Sequence, residues 1–270
     1  MKFDFNAEYF NPLHTLDCGQ TFRFFPYKQG FAVLSANKAC YVYSDGNKTV
    51  VESGDCDYFW RYFDLDRDYS EIAEKAKSYN IPLLSRSAEL CKGLRILNQN
   101  REEMIFSFII SQNNNIPRIK GIINRICEGL GEHVDGKYYA FPTAKAIAEA
   151  GAEFFRNAGA GYRDVYLAET GARIALEGIE RLENLDAASL KSELLKYKGV
   201  GPKVADCISL FGFGKTDSFP VDTWIEKIYR EDFGGTLKNR DKISKYLVEL
   251  FGENSGYMQQ YLFYGKRLNL

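Results

Sequence analysis

The spacing of apolar residues changes abruptly along this chain, and that change limits the folds it can adopt. Between residues 20 and 52, short segments rich in aromatic and β-branched residues are separated by turn sequences, one with an Asp-Gly pair. From Tyr69 onward, apolar residues recur instead at three- and four-residue spacings. A sheet formed by the first part and helices formed by the second predict an α+β fold.

Two domains follow from this division. The predicted strands form an antiparallel meander from the segments TFRFF, FAVLSA, ACYVYS and TVVES. The clearest predicted helices are YSEIAEKAKSY, REEMIFSFIISQ, IPRIKGIINRICEGL, TAKAIAEA and YRDVYLAETGARIALEG. We therefore expect a small antiparallel-sheet domain with flanking helices over residues 1–97 and a larger helical domain over residues 98–270.

Several classes of protein are excluded by what the sequence lacks. The first ten residues do not resemble a signal peptide, and no apolar run is long enough to span a membrane. The six cysteines never fall at C-x-x-C spacing, which argues against a compact zinc or iron–sulfur motif. Scattered cysteines without a signal are typical of reduced thiols, so we expect a cytoplasmic protein with no membrane partner.

Two further features bear on ligands. The acidic segment Asp64–Asp68 resembles the start of a calcium loop, but the sixth and twelfth loop positions are Tyr69 and Lys75, which do not fit. We interpret it as a solvated stretch that caps a helix, and we expect no metal site built from side chains. The formal net charge is −1, so an interaction with nucleic acid would have to depend on a local site.

The segment YKGVGPKVAD predicts two short helices around a tight turn. Gly199 and Gly201 can supply the positive φ values that a hairpin needs, and Pro202 suits the first position of the second helix. The free N–H groups of Gly199, Val200 and Gly201, at the start of a helix, are suited to bind a phosphate. This is a helix-hairpin-helix pattern, which we place at about residues 191–213; an ordinary helix–loop–helix connection is the alternative.

Lys203 follows that turn directly, at the positive end of a helix dipole. An ammonium is disfavoured there, so we expect a lowered pKa and a more nucleophilic amine, although a phosphate-binding lysine is an alternative. Asp222 follows Pro220 and precedes the next predicted helix, in which Thr223 and Glu226 are spaced as a capping box. Asp222 could cap that helix or provide a carboxylate beside the amine.

Five segments in order resemble those of the 8-oxoguanine DNA glycosylases of the helix-hairpin-helix superfamily. They are CGQTFRF, FSFIISQNNNIPRI, GYRDVY, KGVGPKVADC with PVD, and QQYLF. The resemblance implies a sheet domain packed on a helical glycosylase core and a damaged guanine flipped out of the duplex. It further implies that Lys203 attacks the sugar carbon C1′ and forms an imine, which allows strand cleavage by β-elimination, and that Asp222 stabilises the cationic sugar.

The resemblance also implies a pocket for the oxidised base. The Gly19 carbonyl would accept a hydrogen bond from the N7–H that only the lesion has, since N7 is an acceptor in guanine. Cys207 and Phe263 would lie on opposite faces of the base, and Gln259 would contact its pairing edge. Without the resemblance, Cys207 and Phe263 would be interpreted as core residues and Gly19 as a turn glycine.

Residues that contact the opposite strand carry over in the same way. Asn113, Arg118 and Arg163 match those that bind the orphaned cytosine, whose pairing edge suits arginine donors. Tyr162 matches the residue that fills the gap in the base stack. The Asn-rich stretch around Asn113 favours a loop rather than a helix interior. Pro117 interrupts the segment before Arg118, and this departure bears on how strictly cytosine is preferred.

Trp224 is a second departure, because it stands where better-known family members have a histidine near the lesion's phosphate. The indole has a donor but no charge, so we expect weaker binding of that phosphate. The resemblance implies no cofactor, although the backbone carbonyls of the hairpin could hold a monovalent or divalent cation. The expected partner is double-stranded DNA containing oxidised guanine, bound by a monomer.

Two alternatives differ in class. A related glycosylase could act on another damaged base, but iron–sulfur types need cysteines that residues 223–270 lack, and alkylpurine types typically lack the hairpin lysine. A helix-hairpin-helix protein that binds DNA without chemistry would not need the combination of Lys203 and Asp222.

Overall fold

The structure, a computed structural model, describes residues 1–268 and has the expected α+β fold. Its main sheet is antiparallel, with strand order β1-β5-β4-β3-β2. The strands are β1 (Lys2–Asn6), β2 (Phe24–Tyr27), β3 (Gly30–Ser35), β4 (Lys38–Asp45) and β5 (Lys48–Ser53). The meander from β2 to β5 is confirmed, and β1 adds a strand that the sequence analysis missed, although Phe3 and Phe5 alternate with polar residues.

Helices make up most of the remaining chain. In order they are α1 (Pro12–Asp17), α2 (Cys56–Tyr62), α3 (Tyr69–Ser78), α4 (Pro82–Leu90), α5 (Arg101–Ser111), α6 (Ile116–Leu130), α7 (Ala144–Asn157), α8 (Asp164–Glu177), α9 (Ala187–Leu194), α10 (Pro202–Phe213), α11 (Thr223–Glu231), α12 (Arg240–Phe251) and α13 (Ser255–Arg267). Short 3-10 turns span Gly161–Arg163, Glu180–Leu182 and Gly252–Asn254. A small hairpin of β6 (His133–Asp135) and β7 (Tyr138–Tyr139), which the sequence analysis did not anticipate, interrupts the helices.

Two groups of buried apolar side chains form the core. The smaller lies between the sheet and α2 and includes Phe10, Val33, Val51 and Phe59. The larger joins the helices from α3 to α13. Helices α3 and α4, which precede residue 98 but follow the change of period at Tyr69, pack into this larger group.

Residues just before β2 connect the sheet to the helices. The predicted strand began at Thr21, but β2 begins at Phe24, because the side chains before it are used as anchors. The buried Gln20 amide donates to the carbonyl oxygens of Thr15 and Arg95, at 2.8 and 2.7 Å. Arg23 forms a buried ion pair with Glu103 of α5 at 3.3 Å. These contacts fix the segment that carries Gly19.

Within residues 1–268, no helix is long and apolar enough to cross a bilayer. The described side chains include no group of three or more histidine, cysteine or acidic residues that could hold a metal ion. Asp68 accepts a hydrogen bond from the Ser70 amide at 2.8 Å and caps α3, so this acidic stretch does cap a helix.

Candidate active site

The hairpin turn between α9 and α10 is built around one glycine with a positive φ. Gly199 has a φ of +81°, and its Cα faces the ring of Tyr166 so closely that a Cβ would overlap the ring. Gly201, in contrast, has a φ of −91° and caps α10, with open space where a Cβ would lie. The expectation of a positive φ at both glycines is therefore wrong for Gly201. The absent side chain at Gly201 leaves the N-terminus of α10 accessible.

Lys203 is the second residue of α10 and is half-buried. Its Nζ lies 5.7 Å from the ring centroid of Phe108, which stacks on Phe211 with ring centroids 5.6 Å apart. Phe108 was not predicted to be part of the site, because its position on the buried face of α5 is typical of a core residue. These two stacked rings, Phe108 and Phe211, form an aromatic floor beneath the amine and restrict it to the entrance of the hairpin.

The expectation of a lowered pKa for Lys203 is wrong. Burial lowers the pKa of Lys203, but Cys207 and Asp222 raise it, and the net pKa lies above the ordinary value for lysine. Burial also raises the pKa of the Cys207 thiol to about 11, against the effect of Lys203. At neutral pH the resting site thus contains an ammonium beside a protonated thiol, and the neighbouring groups outweigh the helix dipole.

Asp222 acts as the N-cap of α11. Its carboxylate accepts a hydrogen bond from the Ile225 amide at 2.9 Å, and it also acts electrostatically on Lys203. The predicted capping box with Thr223 as the cap is therefore wrong by one residue. Glu226 instead binds arginines, including Arg240 at 2.8 Å. Helix capping and a role beside the amine are compatible, since each oxygen of a carboxylate can accept separately.

The structure brings together Gly19 and Phe263, which come from opposite ends of the chain. Gly19 has a φ of +84°, and a Cβ at this position would lie 3.5 Å from the edge of the Phe263 ring. Arg267, one turn after Phe263, donates to the Asp17 carbonyl oxygen at 2.8 Å and ties α13 to α1. No pattern in the sequence predicts this contact between Arg267 and Asp17.

Gln259 and Cys207 lie on elements that border the same region, and both are buried. The Gln259 amide donates to the Pro220 carbonyl oxygen at 3.4 Å, two residues before Asp222. Cys207 interacts directly with Lys203, one helical turn earlier in α10. Side chains from α10 and α13 and the segment before α11 therefore lie close together.

Asn113 and Arg163, two of the residues matched to the opposite strand, lie close together in the structure. Asn113, with a φ of +49°, lies in the loop between α5 and α6, and this loop is confirmed. Arg163 is 3% exposed and donates to the backbone oxygens of Gln112 and Asn113, the second at 3.2 Å. In this structure Arg163 supports the loop from the protein interior and does not project from the surface.

Arg118, Tyr162 and Trp224 are exposed. Arg118 follows Pro117 in the first turn of α6, which confirms that the proline opens a helix. Its guanidinium reaches the Gly159 carbonyl oxygen at 3.5 Å, close to the 3-10 turn that carries Tyr162. Tyr162 and Trp224 are 54% and 47% exposed. Both side chains are therefore accessible to a ligand.

Two known protein families match successive parts of the sequence. Residues 2–105 match the family described as 8-oxoguanine DNA glycosylase, N-terminal domain. Residues 106–253 match the family described as HhH-GPD superfamily base excision DNA repair protein. Together the two matches cover most of the chain, and the second contains the hairpin, Lys203 and Asp222.

Individual proteins are similar over long stretches. A probable N-glycosylase/DNA lyase of Methanothermobacter thermautotrophicus is 32% identical over 225 residues, which cover 74% of this chain and 70% of the relative. The N-glycosylase/DNA lyase of Saccharomyces cerevisiae is 33% identical over 206 residues, 70% of this chain, and the matched part spans only about half (53%) of its length. The crystal structure of the Clostridium acetobutylicum 8-oxoguanine glycosylase/lyase, bound to duplex DNA with cytosine opposite 8-oxoguanine, superposes with a TM-score of 0.91 and 38% identity. That superposition covers 97% of this chain and 93% of the other.

Proposed function

Because the chain belongs to the 8-oxoguanine DNA glycosylase family of the helix-hairpin-helix superfamily, we propose that it excises 8-oxoguanine from duplex DNA and then cuts the abasic strand. The observation that carries this proposal is the half-buried Lys203 amine, held between an aromatic floor and Cys207 and acted on by Asp222. A half-buried lysine whose pKa is raised by a nearby carboxylate at the hairpin is more typical of a reaction centre than of a structural contact.

The proposed reaction begins when Lys203 loses a proton. Its Nζ then attacks C1′ of the flipped nucleotide, the C1′–N9 bond breaks, and the base leaves with the bonding electrons and takes up a proton. The Asp222 carboxylate stabilises the positive charge that develops on the sugar. The C1′–O4′ bond of this adduct then breaks, O4′ takes up a proton, and an imine remains between Lys203 and C1′. Removal of a C2′ proton then expels the 3′ phosphate and cleaves the strand.

Base selection is assigned to the Gly19 backbone. Its carbonyl oxygen would accept from N7–H of 8-oxoguanine, whereas N7 of guanine would face it as a second acceptor. Such a mismatch of buried acceptors costs about 1–3 kcal/mol. Stacking of the base between Cys207 and Phe263, with Gln259 at the pairing edge, completes the proposed pocket. The contact between Gly19 and the Phe263 ring supports this arrangement.

The opposite strand is assigned to the loop of Asn113 and to Arg118, with Tyr162 filling the space in the base stack. Exposure of Arg118 and Tyr162 supports these roles. Arg163 would reach the cytosine only after a rearrangement of its contacts with the loop. We therefore propose a preference for cytosine that depends first on Arg118. The hairpin N–H groups and Trp224 would contact DNA phosphates, and the protein would act as a monomer in the cytoplasm without a cofactor.

Borohydride trapping tests the lysine chemistry. The assay reduces the imine and leaves a covalent complex between protein and DNA. We expect the wild-type protein to be trapped on duplex DNA with 8-oxoguanine opposite cytosine, and Lys203→Gln to give no complex while it still binds the duplex. Lys196→Gln is the matched control, because Lys196 is an exposed hairpin lysine paired with Glu193. Normal excision by Lys203→Gln would exclude the proposed mechanism.

A panel of substrates tests the specificity. Duplexes that differ only in the damaged base, with 8-oxoguanine, 3-methyladenine or an abasic site, separate this proposal from the alternative of another base specificity. Preferential release of a base other than 8-oxoguanine would support that alternative. Binding of all duplexes with no base release and no trapping would indicate a DNA-binding protein without catalytic activity.

A further inference from the structure

A buried polar network joins both helices of the hairpin to α12. Lys191 of α9 lies 3.0 Å from a carboxylate oxygen of Asp206 in α10 and donates to Asp241 of α12 at 2.8 Å. The Ser244 hydroxyl of α12 lies 3.4 Å from Asp206. Asp206 and Ser244 are 5% and 4% exposed. Water therefore has little access to Asp206 and Ser244, whereas Lys191 and Asp241 are partly exposed. Each contact joins two of the three helices.

The network reaches both segments that carry the proposed chemistry. Asp206 follows Lys203 by three residues in the same helix. The Ser244 hydroxyl donates to the Phe219 carbonyl oxygen at 2.8 Å, and Phe219 precedes Asp222 by three residues. One serine thus contacts the helix of the amine and the segment of the carboxylate, although neither Lys203 nor Asp222 belongs to the network.

Helix geometry explains how this network acts on Lys203. Successive residues turn by about 100° around a helix axis, so residues three apart lie on neighbouring faces of α10. A rotation of α10 that removed Asp206 from Lys191 would also turn Lys203 away from its present direction. A misplacement of about 1 Å in a reacting group is enough to reduce a rate about 100-fold.

On these observations, and on the basis of the proposed function, we propose that Asp206 is a positioning residue: with Lys191 and Ser244 it fixes the rotation of α10 and thereby directs Lys203 relative to Asp222. A role in stability alone is a weaker explanation. Buried ion pairs often contribute less net stability than apolar side chains of similar volume, whereas they restrict geometry through directional contacts.

The ionisation of Asp206 is consistent with this role. Burial raises the pKa of Asp206 to about 6, against the effect of Lys191, and the nearby Asp241 raises it further. The pKa of Lys191 is raised by Asp206 and Asp241, although its burial opposes this. At neutral pH the network therefore contains one ammonium shared by two carboxylates, with Lys245 also near Asp241 at 3.6 Å.

Trapping on a duplex with an abasic site tests the proposal, because it measures the lysine chemistry without base recognition. We expect Asp206→Leu to reduce the single-turnover trapping rate about 10- to 100-fold, with unchanged affinity for the same duplex. Asp206→Asn should retain most of the rate, since its amide oxygen can still accept from Lys191. Asp64→Asn is the control, because Asp64 is a largely buried carboxylate in an ion pair with Arg67 and has no role in the proposed site. This control should trap at the wild-type rate.

A double variant separates geometry from stability. Lys191→Met leaves Asp206 buried with less compensation and should lower the melting temperature, and adding Asp206→Leu should restore it. We expect the trapping rate of the double variant to remain low. Recovery of the rate together with the melting temperature, or wild-type trapping by Asp206→Leu, would overturn the proposal.

The two proposals fail in different ways in this assay. If the wild-type protein traps abasic DNA but does not release 8-oxoguanine, only the base specificity fails and the role of Asp206 is still measured. If the wild-type protein traps no DNA at all, the lysine mechanism and the role of Asp206 are both excluded.

Discussion

The backbone of Gly199 lies directly against the ring of Tyr166, with no space for a side chain between them. The contact fixes the hairpin turn to α8, and the φ of +81° at Gly199 is accessible to glycine at little cost. We expect Gly199→Ala to destabilise the protein by about 1–3 kcal/mol, because the new methyl group adds backbone strain and a clash with the ring. Chemical denaturation measures the loss.

Gly201→Ala is the matched control for that experiment. Gly201 has a φ of −91° and open space at the Cβ position, so the folded protein should keep its stability. The added methyl group would nevertheless stand beside the N–H groups assigned to a DNA phosphate. Weaker duplex binding at unchanged stability would support that assignment, and equal destabilisation by both variants would contradict the distinction between the two glycines.

The raised pKa of Lys203 predicts how the lysine chemistry depends on pH. Only the neutral amine attacks C1′, and its fraction increases with pH until the pKa is passed. The rate of imine trapping on abasic DNA should therefore rise about tenfold per pH unit between pH 6 and 8. A flat profile over this range would indicate that the amine is already neutral in the DNA complex.

Cys207→Ala tests the cause of that raised pKa. The Cys207 thiol has a pKa of about 11 and is uncharged between pH 6 and 8, so its removal should leave the trapping profile unchanged over this range, with Asp222 as the charged neighbour of the amine. Abasic DNA is the appropriate substrate, because it contains no base to stack on Cys207. A shift of the profile to lower pH would show instead that the thiol holds the amine in its charged form.

Arg163 and Arg118 should behave differently although both are assigned to the orphaned cytosine. Arg163 is buried and supports the Asn113 loop, so Arg163→Ala should reduce both thermal stability and discrimination between cytosine and adenine. Arg118 is exposed, so Arg118→Ala should reduce discrimination with little effect on stability. Melting temperatures and excision rates opposite the two bases provide the comparison, and stability losses of equal size would contradict it.

Trp224 provides a test of phosphate binding. The exposed indole cannot contribute a charge, whereas a histidine at this position would be protonated at pH 6 and mostly neutral at pH 8. We expect Trp224→His to bind duplex DNA more tightly at pH 6 than at pH 8. At pH 6 its slope of log K against log salt concentration should be steeper than that of the wild type by about 0.9. Equal binding at both pH values would place the phosphate elsewhere.

Much of the fold could be predicted, because it depends on local patterns. The period change near Tyr69, the Asn-rich loop and the proline at the start of α6 are all properties of a few neighbouring residues. The strand β1 was missed because its two phenylalanines lie among exposed polar residues, and it is recognisable mainly through its pairing with β5. The anchors Gln20 and Arg267 carried no signal, since their partners are distant in sequence.

The sequence by itself determined the helix-hairpin-helix, the order of the matched motifs and the residues at the mouth of the hairpin, because turns and caps depend on adjacent residues. Only the tertiary structure decided the ionisation of Lys203, the burial of Arg163 and the network around Asp206. The pKa of a group and the direction of its side chain depend on charges, dipoles and excluded water within a few ångströms. In this protein several of those neighbours come from other segments of the chain, such as Asp222 beside Lys203 and the Asn113 loop beside Arg163, and packing brings them together.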